Sequence, residues 1–249
     1  MYNNPYLYDD IMWWKKDDIE FWVSIIQKNK SFKILELCCG TGRIGLPLIN
    51  KGLNYYGIDL SKPFVNHFKS KVIDKNYNLN HILNADARTF NLNEKFDFIF
   101  IGFNSLAHFI TNHDIKKCFN SIKNHMHSKT IFAIDIFVPD SSFLYRNNKD
   151  KIDIMDFRDS INNEKMNILE SINYNSLTEV NHINWDFINQ NKICKFNYKF
   201  DMRMIFPDTL NRILTDCNYK IQNFYGDYQS NNFNENSEKQ IYLCSNSSY

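Results

Sequence analysis

The chain contains few glycines and prolines, no excess of one charge and no long apolar segment. It has 7 glycines, 5 prolines, 29 basic and 28 acidic residues among 249. The balanced charge gives no indication of a nucleic-acid or anionic-membrane partner, and no apolar run reaches the roughly 20 residues that span a bilayer. The N-terminal residues form neither the basic nor the apolar segment of a secretory signal. We therefore expect a cytoplasmic protein, monomeric or homodimeric, with no nucleic-acid or membrane partner.

The six cysteines do not indicate a metal centre. Cys38 and Cys39 are adjacent, and the other four are isolated along the chain. Neither a C-x-x-C pair nor a His/Cys cluster occurs at metal-ligand spacing. We expect no metal site, and we interpret the cysteines as small buried residues of a reducing compartment.

The most informative segment is residues 34–43, Ile-Leu-Glu-Leu-Cys-Cys-Gly-Thr-Gly-Arg. An apolar run with an acidic residue opens into a loop that contains Gly40 and Gly42, and a helix is predicted to follow. A strand, a glycine turn and a helix N-terminus bring backbone N–H groups close to a ligand. The next apolar segment ends in Asp59, where a second parallel strand would present a carboxylate to a ribose diol. The pattern predicts a site for a cofactor that contains a nucleoside.

Two cofactors are compatible with these glycines. The stretch from Gly40 to Gly45 satisfies the dinucleotide pattern G-x-G-x-x-G, which by itself is weak evidence. Glu36, four residues before Gly40, would disfavour a pyrophosphate but would suit the ammonium group of a methionine moiety. S-adenosylmethionine offers a ribose for Asp59, an amino group for Glu36 and no phosphate. An NAD(P)-dependent oxidoreductase is therefore the less favoured alternative, and an inactive methyltransferase-like binding module is another.

The block from Leu35 to Arg43 resembles the first motif of the class I S-adenosylmethionine-dependent methyltransferases. Cys38 departs from that motif, since it stands where the family often has its first glycine. A third acidic position, Asp86, follows another short apolar stretch. The resemblance implies that Asp86 accepts a hydrogen bond from the adenine amine and that Ala87 packs on the adenine ring. The expected cofactor is S-adenosyl-L-methionine, and its expected contacts are Glu36, Cys38, Gly40, Gly42, Arg43, Asp59, Leu60, Asp86, Ala87 and Asn104.

The second half of the chain extends the resemblance to the small-molecule branch of this family. Residues 203–207, before a predicted helix, and residues 224–227, before the last strand, resemble segments of that branch. It includes sugar-amine and glycine-type N-methyltransferases, and it inserts an antiparallel lid sheet into the core. The resemblance implies a small-molecule acceptor, with an amine nitrogen favoured over oxygen. Trp185 and Phe187 could line the acceptor pocket, although core packing is the more common role of such side chains.

The alternation of apolar segments predicts an α/β fold with a doubly wound, mostly parallel, seven-stranded sheet, Rossmann-like, and an inserted antiparallel lid sheet. We expect three parts: an N-terminal helical cap over the cofactor (1–30), a core (31–140 and 205–249) and the lid (141–204). Residues 145–164 and 229–238 are predicted to be exposed loops. Core strands are predicted at 33–38, 53–59, 80–84, 96–101, 130–137, 221–226 and 240–244, lid strands at 178–185 and 192–204, and helices at 17–29, 43–51, 62–74, 114–127 and 207–217.

Two residues are candidates for catalysis. Methyl transfer from a sulfonium is an in-line displacement, so the protein mainly aligns the reactants and excludes water. A base is needed only if the nucleophile arrives protonated. His108 follows the fourth strand on the substrate side and titrates near neutrality, and Tyr8 lies in a segment that resembles the part of this branch that folds over the cofactor. Three further histidines, His113, His125 and His127, are expected to be solvated helix residues.

Overall fold

The computed structural model describes residues 3–73 and 76–247, so the first two residues of the predicted cap, the end of the predicted helix 62–74 and the last two residues of the predicted core lie outside it. The helices are α1 (Pro5–Met12), α2 (Ile19–Lys28), α3 (Gly45–Asn50), α4 (Lys62–Lys71), α5 (Asn112–Lys123), α6 (Ser141–Leu144) and α7 (Pro207–Asp216), with short 3-10 helices at Leu79–His81 and Ser105–His108. The strands are β1 (Lys33–Leu37), β2 (Asn54–Asp59), β3 (Ile82–Asn84), β4 (Phe96–Ile101), β5 (Met126–Phe137), β6 (Ile152–Arg158), β7 (Lys165–Asn175), β8 (Val180–Asn189), β9 (Cys194–Arg203), β10 (Tyr219–Tyr225) and β11 (Lys239–Asn246).

The core of the described chain is a seven-stranded sheet with the order β10-β11-β5-β4-β1-β2-β3. Strands β1 to β5 run parallel, and β11 lies antiparallel to both of its neighbours, β5 and β10. The strand order reverses between β1 and β4, and in open α/β sheets ligands bind at the carboxyl ends of the strands beside such a point. The predicted fold class is confirmed.

Helices on both faces of the core sheet explain why its strands are apolar throughout. Four consecutive residues of β4, from Phe98 to Ile101, are fully buried, as expected for a strand covered on both sides. On one face the ring of Trp22 in α2 lies 4.5 Å from the ring of Phe100. On the other face the ring of Phe119 in α5 lies 5.2 Å from that of Phe132 in β5. The two helices therefore clamp the sheet next to its reversal point.

A separate four-stranded sheet, which we call the lid sheet, has the antiparallel order β6-β7-β8-β9. Residues that pair across neighbouring strands share one face, and one face of this sheet is largely apolar. Ile168 and Phe187 are paired and completely buried, and they pack in one cluster with Ile11 of α1. Phe187 is therefore a packing residue, whereas Trp185 on the same face is only partly buried. The N-terminal helix thus joins the lid sheet to the rest of the molecule.

The structure corrects the predictions for the segment after α5. The helix predicted over residues 114–127 ends at Lys123, and His127 lies in β5. His125 is not solvated: it is 1% exposed, its Nε2 accepts the backbone N–H of Leu92 at 3.0 Å, and its Nδ1 donates to the carbonyl of Ser121 at 2.8 Å. Two backbone partners therefore satisfy the buried imidazole.

The prediction of a loop over residues 145–164 is also wrong, because this segment contains β6. The strand β7 was not predicted either. A β-bulge between Asp153 and Met155 shifts the pairing of β6 with β7 by one residue. Because a bulge interrupts the alternation of inward and outward side chains, β6 does not show the regular period of a strand.

None of the helices within the described ranges is long and apolar enough to cross a membrane.

Candidate active site

The candidate site lies where the carboxyl ends of β1, β2 and β4 meet. The glycine loop, residues 38–44, follows β1, Asp59 ends β2, and Gly102 follows β4. The chain reversal between β1 and β4 leaves a crevice at this edge because their connections leave in opposite directions. The elements that carry most of the predicted site residues therefore converge.

The carboxylate of Asp59 is fixed by backbone groups on two sides. Its Oδ2 accepts the N–H of Gly40 at 2.8 Å, and its Oδ1 accepts the N–H of Ser61 at 2.8 Å. Burial raises the pKa of Asp59, and the two backbone hydrogen bonds act in the opposite direction. Each carboxylate oxygen can accept a further hydrogen bond. The arrangement can therefore receive hydroxyl groups from a ligand at the end of β2.

The glycine loop turns through three residues with positive φ: Cys38 (58°), Gly40 (58°) and Gly42 (84°). This left-handed region favours glycine because a side chain collides with the backbone there. A Cβ atom on Gly42 would also overlap the ring of Phe68 in α4. Residue 38 therefore needs a positive φ, which explains why the resembling family often has a glycine there. In this chain Cys38 adopts that backbone conformation.

Glu36 lies beneath the glycine loop and is only 4% exposed. Its carboxyl accepts the hydroxyl of Tyr55 at 2.5 Å. Burial raises the pKa of Glu36 to about 8, although the Tyr55 hydrogen bond and the charge of Arg43 act in the opposite direction. A cationic ligand group next to this carboxyl would stabilise its ionised form and lower its pKa again. The predicted contact with an amino group stays a prediction.

The residues predicted to surround the adenine lie at the ends of β2 and β3. Asp86 forms an ion pair with Arg88 (Oδ2 to Nη2, 2.6 Å), which lowers the pKa of the Asp86 carboxyl. Ala87 is buried next to it, and Leu60 is 67% exposed beside Asp59. An exposed leucine next to a carboxylate offers an apolar surface to a flat ring. The roles of these residues stay predictions.

The N-terminal helix α1 is fastened over the glycine loop by Asp9. The carboxylate of Asp9 accepts the hydroxyl of Thr41 at 2.5 Å, and it contacts Nε2 of His67 and Nζ of Lys71 at 2.8 Å each. Asn4 caps the helix by accepting the N–H of Leu7. Sequence reasoning missed Asp9, because an acidic residue in a short polar segment carries no signal of its distant partners.

Tyr8, one of the two candidate catalytic residues, packs on the inner side of α1. Its ring lies 5.0 Å from the ring of Phe64 in α4. Burial raises the pKa of Tyr8 to about 12, and the nearby charge of Asp59 contributes in the same direction, whereas Arg43 opposes it. The phenol therefore stays protonated at neutral pH. It can donate a hydrogen bond but cannot act as a base.

Arg43 binds the segment between α1 and α2. Its guanidinium donates two hydrogen bonds to the buried Asp18 (2.6 and 2.7 Å) and one to the carbonyl of Lys15 (3.0 Å). It also stacks on the ring of Phe103, 4.5 Å from the centroid. Arg43 therefore connects the N-terminal segment, the glycine loop and the loop after β4.

The loop after β4, residues 102–108, is held by Asp135 of β5. Phe103 and Asn104 both have positive φ (48° and 61°). The Asp135 carboxylate accepts the N–H of Phe103 at 3.2 Å and the hydroxyl of Tyr228 at 2.8 Å, and its backbone carbonyl accepts the N–H of Asn104 at 3.0 Å. Asn104 in turn accepts the N–H of Phe137. These contacts stabilise a strained turn, and sequence reasoning missed Asp135.

His108 ends the 3-10 helix of this loop and faces the lid sheet. Its ring lies 6.5 Å from that of Phe200 in β9. Part of the residue is open to solvent, while the protein around it lowers the pKa of His108 and a bond to the backbone of Asp201 acts in the opposite direction. A neutral imidazole at pH 7 can accept a proton. The structure therefore brings one candidate base to the boundary between core and lid.

A cavity of about 740 Å³ lies on the other side of α1. Asp9, Asp10 and Trp13 of α1 line it together with the ends of β6, β7 and β8. It shares no residue with the glycine loop or with Asp59. It is therefore separate from the predicted cofactor cleft, with α1 as the partition.

Residues 34–129 match the family described as a methyltransferase domain. This range begins with β1 and includes the glycine loop, Asp59, Asp86 and His108. Over this range the chain is similar to methyltransferase domains. The match agrees with the predicted resemblance to methyltransferases, and the matched range contains every predicted site residue except Tyr8.

One curated relative matches part of the chain. The candidate methyltransferase YqeM of Bacillus subtilis (strain 168) is 28% identical over 148 residues, which is 55% of this chain and 58% of that protein. The chain therefore matches little more than half the length of this curated relative.

Solved structures share the fold over nearly the whole chain. An S-adenosylmethionine-dependent methyltransferase from Clostridium acetobutylicum ATCC 824 has a TM-score of 0.75 at 20% identity and covers 96% of both chains. A sugar N-methyltransferase from Streptoalloteichus sp ATCC 53650 has a TM-score of 0.68 at 14% identity and covers 92% of this chain and 88% of its own. At these identities the likeness shows the fold, including the lid sheet that lies outside the matched domain.

Proposed function

We propose that the protein transfers the methyl group of S-adenosyl-L-methionine to a small-molecule acceptor, with an amine nitrogen favoured over oxygen. The observation that carries the proposal is the carboxylate of Asp59, which the glycine loop and the start of α4 hold at the end of β2. A fixed carboxylate at this position suits the two hydroxyls of a ribose.

The neighbouring residues fit the rest of the cofactor. Gly40 and Gly42 let the backbone approach a ligand, and the Glu36 carboxyl beneath them would hold an amino group. Asp86, Ala87 and Leu60 would hold the adenine. The bound cofactor supplies a methyl group already activated by its sulfonium, so the protein needs to contribute binding, alignment and exclusion of water.

The arrangement of the sheet supports this cofactor over a dinucleotide. The doubly wound dinucleotide-binding fold has the parallel strand order 3-2-1-4-5-6. Here the antiparallel β11 is inserted between β5 and β10. Glu36 is also buried in β1, just before the glycine loop; a cationic ligand group would stabilise its ionised carboxylate, whereas a pyrophosphate would oppose its ionisation. Both features count against an NAD(P)-dependent oxidoreductase.

The groups on the acceptor side support an amine nitrogen. An amine that arrives as its ammonium form must lose a proton before it can attack, and the neutral imidazole of His108 can take that proton. A hydroxyl acceptor would need a stronger base. Tyr8 cannot serve as one, because its phenol is protonated at neutral pH. We assign Tyr8 a role as a hydrogen-bond donor or packing residue beside the cofactor.

The proposal includes the properties expected from composition. The protein would act in the cytoplasm as a monomer or homodimer, without nucleic acid as substrate. The neutral overall charge, with 29 basic and 28 acidic residues, supports a small uncharged or weakly charged acceptor over a polyanion.

Calorimetric titration with S-adenosylhomocysteine and with NADH tests the proposal. We expect micromolar binding of the first and none of the second. Asp59→Ala should weaken binding at least tenfold, because it removes charge-assisted hydrogen bonds worth about 1.5–3 kcal/mol. Asp97→Ala is the matched control: Asp97 also accepts two backbone N–H groups, but at the opposite edge of the sheet. Equal effects of the two variants, or binding of NADH alone, would contradict the proposal.

A further inference from the structure

Arg146, two residues after α6, carries buried donors that the described protein does not use. Its side chain is 9% exposed, and its Nη2 donates to Oε1 of Glu170 at 2.8 Å. Its Nε and Nη1 atoms are buried and have no hydrogen-bond partner among the described residues. A guanidinium has five N–H donors, and buried donors are nearly always paired in native proteins. Arg146 is therefore equipped to bind a further acceptor group.

Glu170 holds the guanidinium in place and neutralises its charge. The second carboxylate oxygen of Glu170 accepts the indole N–H of Trp185 at 2.8 Å, so both oxygens are engaged. Arg146 and Glu170 form a nearly buried pair with no net charge. A neutral oxygen can complete the free donors without adding charge to this site, whereas a carboxylate would leave an unbalanced buried anion.

The pair lies on the face of the lid sheet that looks toward the loop after β4. Glu170 in β7 and Trp185 in β8 are directly paired across the sheet and share a face. The ring of Trp185 lies 5.1 Å from that of Phe200, and Phe200 lies 6.5 Å from the ring of His108. A continuous series of contacts thus connects Arg146 with the acceptor side of the methyltransferase.

Phe143 covers the guanidinium. The Cζ atom of Arg146 lies 4.3 Å from the centroid of the Phe143 ring. Phe143 is 40% exposed and belongs to the one-turn helix α6. Phe143 is thus the exposed neighbour that a ligand approaching the guanidinium from this side would meet first.

Building on the proposed function, we propose that Arg146 is a specificity residue that binds a neutral oxygen, hydroxyl or carbonyl, of the methyl acceptor. The aromatic face formed by Trp185 and Phe200 would pack on the carbon skeleton of the same molecule. The substrate class would be a small amine that carries hydroxyl or carbonyl groups, anchored at Arg146 with its nitrogen directed toward the transferred methyl group.

The test compares amines that differ in their oxygens. Glucosamine and cyclohexylamine share a six-membered ring, but only glucosamine carries hydroxyls, and glycine carries a carboxylate. Binding of each to the complex with S-adenosylhomocysteine is measured by calorimetry, and methyl transfer by initial rates. We expect glucosamine to bind at least tenfold more tightly than cyclohexylamine and more tightly than glycine. Tight binding of glycine alone would overturn the neutral-oxygen assignment, as would equal or absent binding of all three.

The variants separate recognition from folding. Removing Arg146 alone would leave Glu170 buried and unpaired, so the test uses Arg146→Met combined with Glu170→Gln, which keeps the site uncharged. We expect about a 10- to 100-fold loss of kcat/KM for glucosamine, mainly through KM, with no change for cyclohexylamine. Phe143→Ala, which exposes the donors but keeps them, should not raise KM for glucosamine. Equal losses for both amines would overturn the inference, whereas failure of the parent protein to bind S-adenosylhomocysteine would instead refute the proposed function.

Discussion

Glu36 should make the stability of this protein fall as pH rises from acidic to neutral values. Its pKa is about 8 in the folded chain because of burial, against 4.5 for an ordinary glutamate. Below about pH 4 both the folded and the unfolded chain hold the proton, and Glu36 contributes no difference. As pH rises, the unfolded chain loses the proton first, so the folded state loses stability until the pH exceeds about 8.

The size of the effect follows from the difference between the folded and unfolded pKa values of Glu36. A tenfold difference in proton affinity corresponds to about 1.36 kcal/mol. Complete ionisation of Glu36 would therefore cost the folded chain up to about 5 kcal/mol of stability. About 2.5 kcal/mol of this loss develops between pH 5 and pH 7. Glu36→Gln keeps a hydrogen-bond partner for Tyr55 but cannot ionise. The difference in free energy of unfolding between Glu36→Gln and the parent should therefore grow by about 2.5 kcal/mol over that interval.

Urea unfolding at pH 5, 6 and 7 measures this difference directly. Glu20→Gln is the control, because the Glu20 side chain is 80% exposed; its difference from the parent should stay nearly constant. A difference between Glu36→Gln and the parent that does not change with pH would refute the reasoning, since Glu36 would then be ionised in the folded protein throughout.

The same carboxyl should report on ligand binding. If Glu36 receives the amino group of the cofactor, its proton must leave when an ammonium approaches at pH 7, which is below the pKa of about 8. Titration with S-adenosylhomocysteine in two buffers of different ionisation enthalpy should then reveal the release of nearly one proton. No release in the parent, or the same release in Glu36→Gln, would remove Glu36 from the predicted contacts.

Three further predictions concern the glycine loop and the helix over it. Because Cys38 has a positive φ, Cys38→Gly should be about 1 kcal/mol more stable to urea than Cys38→Ala, and the reverse order would contradict the backbone argument. Gly42→Ala should lower the free energy of unfolding by about 2–3 kcal/mol, since its Cβ would overlap Phe68, whereas Gly52→Ala, with positive φ but open space, should lose only about 1 kcal/mol. Asp9→Ala should speed amide hydrogen exchange in α1 while leaving the exchange of β4 unchanged, and equal exchange in the parent and the variant would show that the contacts of Asp9 do not hold the helix.

The core of the fold could be predicted because its physical signals are local. β4 reads Phe-Asp-Phe-Ile-Phe-Ile, and a strand covered on both faces is expected to be a nearly continuous apolar run. β6 carries no such signal, since a bulge between Asp153 and Met155 breaks its alternation. The prediction for His125 is wrong for a different reason: a polar residue usually indicates exposure, but two backbone groups satisfy this imidazole inside the core.

The candidate site also contains residues that the sequence predicts and residues that it does not. The position of Asp59 follows from the sequence, because a residue at the end of a strand next to a glycine loop has a fixed place in this topology. Asp9 and Asp135 do not, since their partners Thr41 and Tyr228 lie 32 and 93 residues away along the chain. No periodicity or motif reports a contact of that range. Residues such as Asp9 and Asp135, which stabilise the segments around the cleft through long-range contacts, therefore cannot be predicted from a single sequence.

The contacts of α1 that the sequence does not reveal connect the proposed cofactor cleft with the lid sheet. Asp9 bonds the hydroxyl of Thr41 in the glycine loop, and the next residue, Asp10, accepts the N–H of Ser160 at 2.8 Å in the turn between β6 and β7. One turn of α1 thus touches both the proposed cofactor cleft and the lid sheet. The helix is only eight residues long, and Ile11 packs it into the apolar cluster of the lid sheet, so a movement of the glycine loop is expected to be transmitted to the lid contact. We therefore expect occupation of the cofactor cleft to change the position of the lid over the acceptor, which would order the binding of the two substrates.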